Sequence, residues 1–446
     1  MNTIRKVSPI AIAIAALVAA PLAFAGAAVN NDQSSVMNLQ GANWNSTNSA
    51  VLTDSAGQGA QGNIGFNIAS GSQNQQSNAG ALASNTNIDV GDGFASSATT
   101  IAKQVAVMDW AFQVATGGNL VSFTGNALQG AVGNIGVNMA SGYFNQQGNN
   151  LSASSAQNSD YARAKSNTTQ ASGYLLNLST GNYNSAISAS NNTGLYGNVL
   201  SGASGNIGVN EAAGISNQQS NSLSVATASN NDHEGYPIGA TATTNTDQVA
   251  GMRGALQGTP MFWQNGATNV AGVAANALQN ASGNISVNLA SGVDNQQSNS
   301  TALSATSNTY NKQRSVDYAA AKAATNQTSV LNGSVDTNVI DSTTVGGNAG
   351  QGASGNIGIN VASGAQNQQQ NGLAMAAIAS SKALGTASAP VLQNAAFNGS
   401  MSMCSDYSAT VSGNALQNAT GNIGLNIASG NNNQQSNTLA IASVTK

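Results

Sequence analysis

A chain that writes nearly the same string six times has to fold into something that accepts the same unit six times over. The string is Gly-Asn-Ile-Gly-x-Asn-x-Ala-x-Gly, followed by Asn-Gln-Gln-x-Asn. It stands at Gly62–Asn78, Gly133–Asn149, Gly205–Asn221, Gly283–Asn299, Gly355–Asn371 and Gly421–Asn437. Measured between the leading asparagines, the copies lie 71, 72, 78, 72 and 66 residues apart. A long, nearly constant period marks a repeat architecture, in which each unit buries its surface against the next.

The second copy shows what the unit is. Over Asn134–Ala140, Ile135, Val137 and Met139 alternate with Asn134, Gly136 and Asn138. That is the two-residue period of a strand. Ser141-Gly142 reads as a turn, and a second strand-like stretch begins at Asn145, with Asn145, Gln147, Asn149 and Leu151 on one parity. In the first and fourth copies the leucine, Leu82 or Leu303, lies eight residues after Asn74 or Asn295; in the other four the gap is six. Both gaps are even, so the leucine keeps its face on an extended strand. Proline is absent from the copies, as a paired backbone requires.

A single unit buries too few aliphatic side chains to offset the entropy of ordering it. Laying units about 4.7–4.9 Å apart supplies hydrogen bonds above and below. It also lines up Ile64, Ile135, Ile207, Ile285, Ile357 and Ile423 as an apolar strip. Stacking sets like on like, which excludes charge and favours amides, because Asn and Gln both donate and accept. The expected amide ladder has four columns. The first is Asn63, Asn134, Asn206, Asn284, Asn356 and Asn422; the second is Asn67, Asn138, Asn210, Asn288, Asn360 and Asn426. The third is Asn74, Asn145, Asn217, Asn295, Asn367 and Asn433; the fourth is Gln76, Gln147, Gln219, Gln297, Gln369 and Gln435. Glu211 and Asp294 are the only charges inside the copies.

The predicted fold is all-β: a β-solenoid or stacked β-arch with six core repeats at 57–84, 126–154, 198–226, 276–305, 348–376 and 414–443. Variable linkers occupy 85–125, 155–197, 227–275, 306–347 and 377–413, after an N-terminal segment at 26–56. Lys103–Val107, Thr246–Ala250 and Asn326–Val330 echo one another and read as weaker strands of the same unit. The charged runs Asp89–Asp92, Asp160–Lys165, Asp232–Glu234 and Lys312–Asp317 read as solvated loops. No C-terminal cap is evident, so the stack is expected to grow at its open edges.

Residues 1–25 read as a secretory signal. Arg5 and Lys6 precede the apolar run Ile10–Ala20, and Ala23-Phe24-Ala25 is the cleavage site. The run is short for a membrane span, and no later segment qualifies, so the mature chain is expected outside the cell and not membrane-embedded. Only 6% of residues are charged and the net charge is −4, which argues against nucleic acid as a partner. With Cys404 as the single cysteine, no disulfide can form within one chain.

The string Gly-Asn-Ile-Gly-Val-Asn with Ala-x-Gly-x-x-Asn-Gln-Gln-x-Asn-x-Leu resembles the repeats of the Fap functional amyloids, of FapC type. The resemblance covers the six copies and, more loosely, the stretches between them. It implies a secreted subunit that polymerises with itself into extracellular cross-β fibres of a biofilm matrix. It also implies an outer-membrane export pore and minor fibre subunits as partners. Two features depart from the pattern: the C-terminal Cys-x-x-Cys of the family is missing, and the repeats are more numerous than in its simplest members. These leave open a minor or nucleating subunit, or a similar cell-surface repeat protein outside that system.

No enzyme or cofactor signature stands against this reading. Gly57–Gly62 and Gly350–Gly355 match G-x-G-x-x-G, but the residues after each alternate like a strand, so both read as turns of the repeat. His233 has no second histidine to complete a metal site or a triad, and Cys404 has no basic neighbour. Trp44, Trp110 and Trp263 read as local packing. The alternative to a fibre subunit is a monomeric secreted β-solenoid adhesin or surface binder. Thr-x-Thr arrays and calcium-binding nonapeptides are both absent from the sequence.

Overall fold

The computed structural model describes residues 26–36, 43–44, 47–86, 95–107, 112–114, 118–157, 161–173, 183–187, 190–230, 238–251, 261–308, 316–330, 333–396 and 398–445. These hold 31 strands and no helix. The signal sequence, Trp110, His233 and the charged runs at 89–92 and 232–234 lie outside the described residues.

The strands wind into six rungs. Rung 1 is β1 (Gly26–Val36), β2 (Asn43–Trp44), β3 (Thr47–Leu52), β4 (Gln61–Ser72) and β5 (Gln75–Thr86). Rung 2 is β6 (Ala95–Val107), β7 (Phe112–Val114), β8 (Gly118–Phe123), β9 (Val132–Tyr143) and β10 (Gln146–Gln157). Rung 3 is β11 (Tyr161–Gly173), β12 (Tyr183–Ile187), β13 (Ser190–Leu195), β14 (Ser204–Ile215) and β15 (Gln218–Asn230). Rung 4 is β16 (Gly239–Gly251), β17 (Met261–Asn265), β18 (Thr268–Val273), β19 (Ser282–Val293) and β20 (Gln296–Asn308). Rung 5 is β21 (Asp317–Val330), β22 (Gly333–Thr337), β23 (Ile340–Val345), β24 (Ser354–Ala365) and β25 (Gln368–Ala379). In rung 6 Pro390 separates β26 (Ala383–Ser388) from β27 (Val391–Ala396), and β28 (Gly399–Met403), β29 (Asp406–Val411), β30 (Thr420–Ser429) and β31 (Gln434–Thr445) complete the turn.

Each strand pairs in parallel with its counterpart one rung away, so five sheets run the length of the stack. The register sets Asn63, Ile64 and Asn67 of β4 on Asn134, Ile135 and Asn138 of β9. It holds through Ile207, Ile285 and Ile357 to Ile423. The stretches between the copies are wound in as well. Gln104, Gln170, Gln248, Gln327 and Gln393 fall in register in the β1–β6–β11–β16–β21 sheet. The run expected as a solvated loop at 160–165 therefore lies in β11 from Tyr161 onward, and Asp317 opens β21, fully buried. Trp44 and Trp263 fall in β2 and β17.

Alternation decides which way each strand faces. Apolar residues of β9 and β14 pack against β8 and β13; Phe123, Ile135, Met139, Leu195 and Ile207 are fully buried between those two sheets. The other face of β4, β9 and β14 turns its amides toward β5, β10 and β15. On its far side that sheet meets the β1 sheet, where Gln75 Nε2 donates to Val105 O. The order of layers is therefore the β3, β4, β5 and β1 sheets.

Two corners shape the rung. The Asn-Ala-Leu-Gln segment is itself a turn, at residues 125–130, and Leu128 sits there with φ 56° while its side chain stays in the core. The β4–β5 corner combines Gly71 and Gln73. Gly71, Gly142, Gly214, Gly292, Gly364 and Gly430 have φ from 89° to 120°. A Cβ on Gly142 or Gly214 would run into the carbonyl of the glycine one rung on. Gln73, Phe144, Ser216, Asp294, Gln366 and Asn432 then take the left-handed conformation and reverse the chain.

Candidate functional site

Among the described residues the recurring feature is an axial array of side-chain amides between the β4 and β5 sheets. The column begun by Asn63 is joined by Asn134 Nδ2 to Asn63 Oδ1 at 2.7 Å, then Asn206 to Asn134, Asn284 to Asn206, Asn356 to Asn284 and Asn422 to Asn356. The column begun by Asn67 links Asn138, Asn210, Asn288, Asn360 and Asn426, each donating to the one before at 2.9 Å. At the corner, Asn145 Nδ2 donates to Asn74 Oδ1 at 3.0 Å, and Asn217, Asn295, Asn367 and Asn433 continue the series.

The glutamines run the other way. Gln76 Nε2 donates forward to Gln147 Oε1 at 2.8 Å; Gln147, Gln219, Gln297 and Gln369 each pass a bond onward, ending at Gln435. The backbone sets this direction. Each glutamine also donates Nε2 to a carbonyl eight residues earlier, as Gln147 does to Met139 O and Gln435 to Ile427 O. That fixes which end of the amide carries nitrogen.

The array is wider than the four expected columns. Asn149 Nδ2 donates to Asn78 Oδ1, and Asn221, Asn299, Asn371 and Asn437 extend the column. Room for this column comes from Gly136, Gly208, Gly358 and Gly424, where a Cβ would press on an asparagine side chain. Gln146 donates to Gln75, beginning a further column that closes at Gln434. A glutamine column in the outer sheet, Gln33 to Gln393, was visible in the sequence only as one Gln per unit in changing surroundings. An asparagine column on the opposite side, Asn48, Asn119, Asn191 and Asn269, ends on the carboxylate of Asp341.

Carboxylates are buried among these columns. Glu211 replaces Met139 and Leu289 in its column, accepts a hydrogen bond from Thr193 Oγ1 at 2.8 Å, and leaves Oε1 unpartnered. Burial pushes its pKa up to about 8, against the opposing pull of that bond and of one from the Gly194 backbone. Asp294 at a corner and Asp341 in β23 are each pushed up to about 7, again chiefly by burial. Asp336 is raised for the same reason. Gly57–Gly62 and Gly350–Gly355 run from a turn into the first residues of β4 and β24, so a strand comes after each. Cys404 is exposed and unpaired. Among the described residues no group of three or more His, Cys, Asp or Glu comes together as a metal site, and no helix is long and apolar enough to cross a membrane.

A family model described as the functional amyloid protein FapB/FapC family matches residues 26–227, 176–334 and 320–446, which together span every rung. The chain belongs to the FapB/FapC family. A relative within it, the functional amyloid subunit FapC of Pseudomonas aeruginosa, is 30% identical over 285 residues, covering 59% of this chain and 78% of that one. No solved structure matches. The family match extends through the strands between the copies, as the winding does.

Proposed function

We propose that this FapB/FapC-family chain is a secreted structural subunit that adds copies end to end into an extracellular cross-β fibre. One observation carries the reading. Every sheet is parallel and in register from rung 1 to rung 6, and among the described strands every sheet ends on an unpaired strand at both faces of the stack. Unpaired edges template further strands. Rung 6 exposes Leu392, Met401, Val411 and Val444, apolar groups that a next rung would cover. The amide columns and the Ile64–Ile423 strip act mechanically: they hold register and resist shear. The signal-like residues 1–25, together with the family, support export and a place in a biofilm matrix. An outer-membrane pore and minor subunits are the partners this reading calls for.

The test is assembly of the purified chain from Gly26 onward. Fibres with reflections near 4.7–4.8 Å along the axis and about 10 Å across it are the expected result. A chain that stays monomeric at high concentration would instead be a soluble solenoid, the adhesin alternative.

A further inference from the structure

The two ends of the stack are chemically different, and the backbone makes them so. From rung 2 onward, each asparagine of the Asn67 column donates Nδ2 to three oxygens in the rung before it. For Asn138 these are Asn67 Oδ1, Ser77 O and Asn78 Oδ1. For Asn426 they are Asn360 Oδ1, Gln370 O and Asn371 Oδ1. Among the described strands none pairs with rung 1 on its outer side. Asn67 accepts from Asn78 and Asn138, while its Nδ2 has no acceptor among the described residues. Among the described strands none pairs with rung 6 on its outer side, so Asn426 Oδ1, Ser436 O and Asn437 Oδ1 repeat the acceptor cluster with no described residue donating from beyond. The Gln76 column supplies the converse pair. Gln435 Nε2 is held by Ile427 O and aims its second hydrogen outward, while Gln76 Oε1 waits for a donor at the opposite end.

We infer that a second copy of this chain docks head to tail only, with its Asn67 amide seated on the Asn426–Ser436–Asn437 oxygens and its Gln76 carbonyl on Gln435 Nε2. The inference rests on the fibre reading and adds polarity to it. Like ends do not reproduce these pairings: a twofold that stacks first rung on first rung, or last on last, runs the facing strands antiparallel, and brings neither the Asn67 amide onto an Asn–Ser–Asn oxygen cluster nor the Gln76 oxygen onto Gln435 Nε2. Each leaves buried polar groups unmade, at the full desolvation penalty. A contact between two different surfaces that does not close on itself generates a filament with two unlike tips.

Two variants isolate the two faces. Asn67→Asp keeps the oxygen that accepts from Asn78 and Asn138 and turns the outward donor into a carboxylate oxygen. Thr438→Pro acts on the other face. Gln75 N donates to Asn145 O in the following rung, so the equivalent alternation in β31 turns the N–H of Thr438 outward and leaves its inward neighbours intact. Sedimentation at neutral pH should find each variant alone as a monomer, and an equimolar mixture as a dimer and nothing longer. At acid pH, where the carboxyl placed at position 67 regains a proton to donate, Asn67→Asp should elongate again; that recovery shows the variant is folded. Either variant dimerising alone, or a mixture that stays monomeric while wild type forms fibres, overturns the inference. Wild type failing to form fibres removes the underlying fibre reading, and the junction with it.

Discussion

Glu211 is the residue whose chemistry is least like its surroundings. Its column neighbours are Met139 and Leu289, and it is fully buried with one oxygen unpartnered. Its folded pKa of about 8 stands above the ordinary value of 4.5. The stability Glu211 allows is thus fully present below about pH 4.5 and lost as pH rises through 8. Glu211→Gln keeps an oxygen for Thr193 and cannot ionise. We expect this variant to show a flatter pH dependence of its denaturant midpoint between pH 5 and 8, and to be the more stable protein at pH 8. Gly214 tests sterics in place of charge. With φ 120° and the Gly292 carbonyl where a Cβ would go, Gly214→Ala should destabilise the stack by about 2 kcal/mol or more, read as a lower denaturant midpoint.

At the level of strands, the amide columns make a prediction about charge. Replacing Asn67, Asn138, Asn210, Asn288, Asn360 and Asn426 together by Asp breaks the five links of the column, with the two further oxygens that each of those donors reaches, and stacks carboxylates one strand spacing apart. Each neighbouring pair then repels by between about 1 and 3 kcal/mol. Fibre formation by this variant, which includes Asn67→Asp, should be lost at pH 7 and recover in part near pH 3, where the acid form can both donate and accept. Equal half-times at the two pH values would remove the role assigned to these columns. Much of this element was legible beforehand. The alternation of Ile135, Val137 and Met139 with Asn134 and Asn138 defines β9, and the even gaps to Leu82 and Leu303 define the strand after the corner. The corner itself was not legible. Gln73, Phe144, Ser216 and Asp294 share a left-handed backbone but no chemistry, because the neighbouring glycine and the Asn74 column do the shaping. Nor was the Gln33–Gln393 column assigned, since a lone glutamine once per unit carries no local pattern; only the winding of the whole rung brings its members together.

For the molecule as a whole, four buried carboxyls act in one direction. Glu211, Asp294, Asp336 and Asp341 all have pKa values raised chiefly by burial. Protonation therefore favours the folded stack: the stabilisation is complete below about pH 4 and declines as pH rises through 7 to 8. Denaturant midpoints taken at pH 4, 6 and 8 should fall in that order. A midpoint that rises with pH would mean these carboxyls are charged and compensated in the stack.

Register ignores chain length. Successive asparagines at the head of each copy are 66 to 78 residues apart, yet every turn advances the stack by one strand spacing. Sequence added where one strand ends and the next has yet to begin lengthens the contour without lengthening the rise. A foreign peptide inserted once per chain, between β15 and β16 for example, would reappear along a polymer every six spacings, about 29 Å. The protein is in that sense a molecular ruler on which cargo can be hung at fixed intervals.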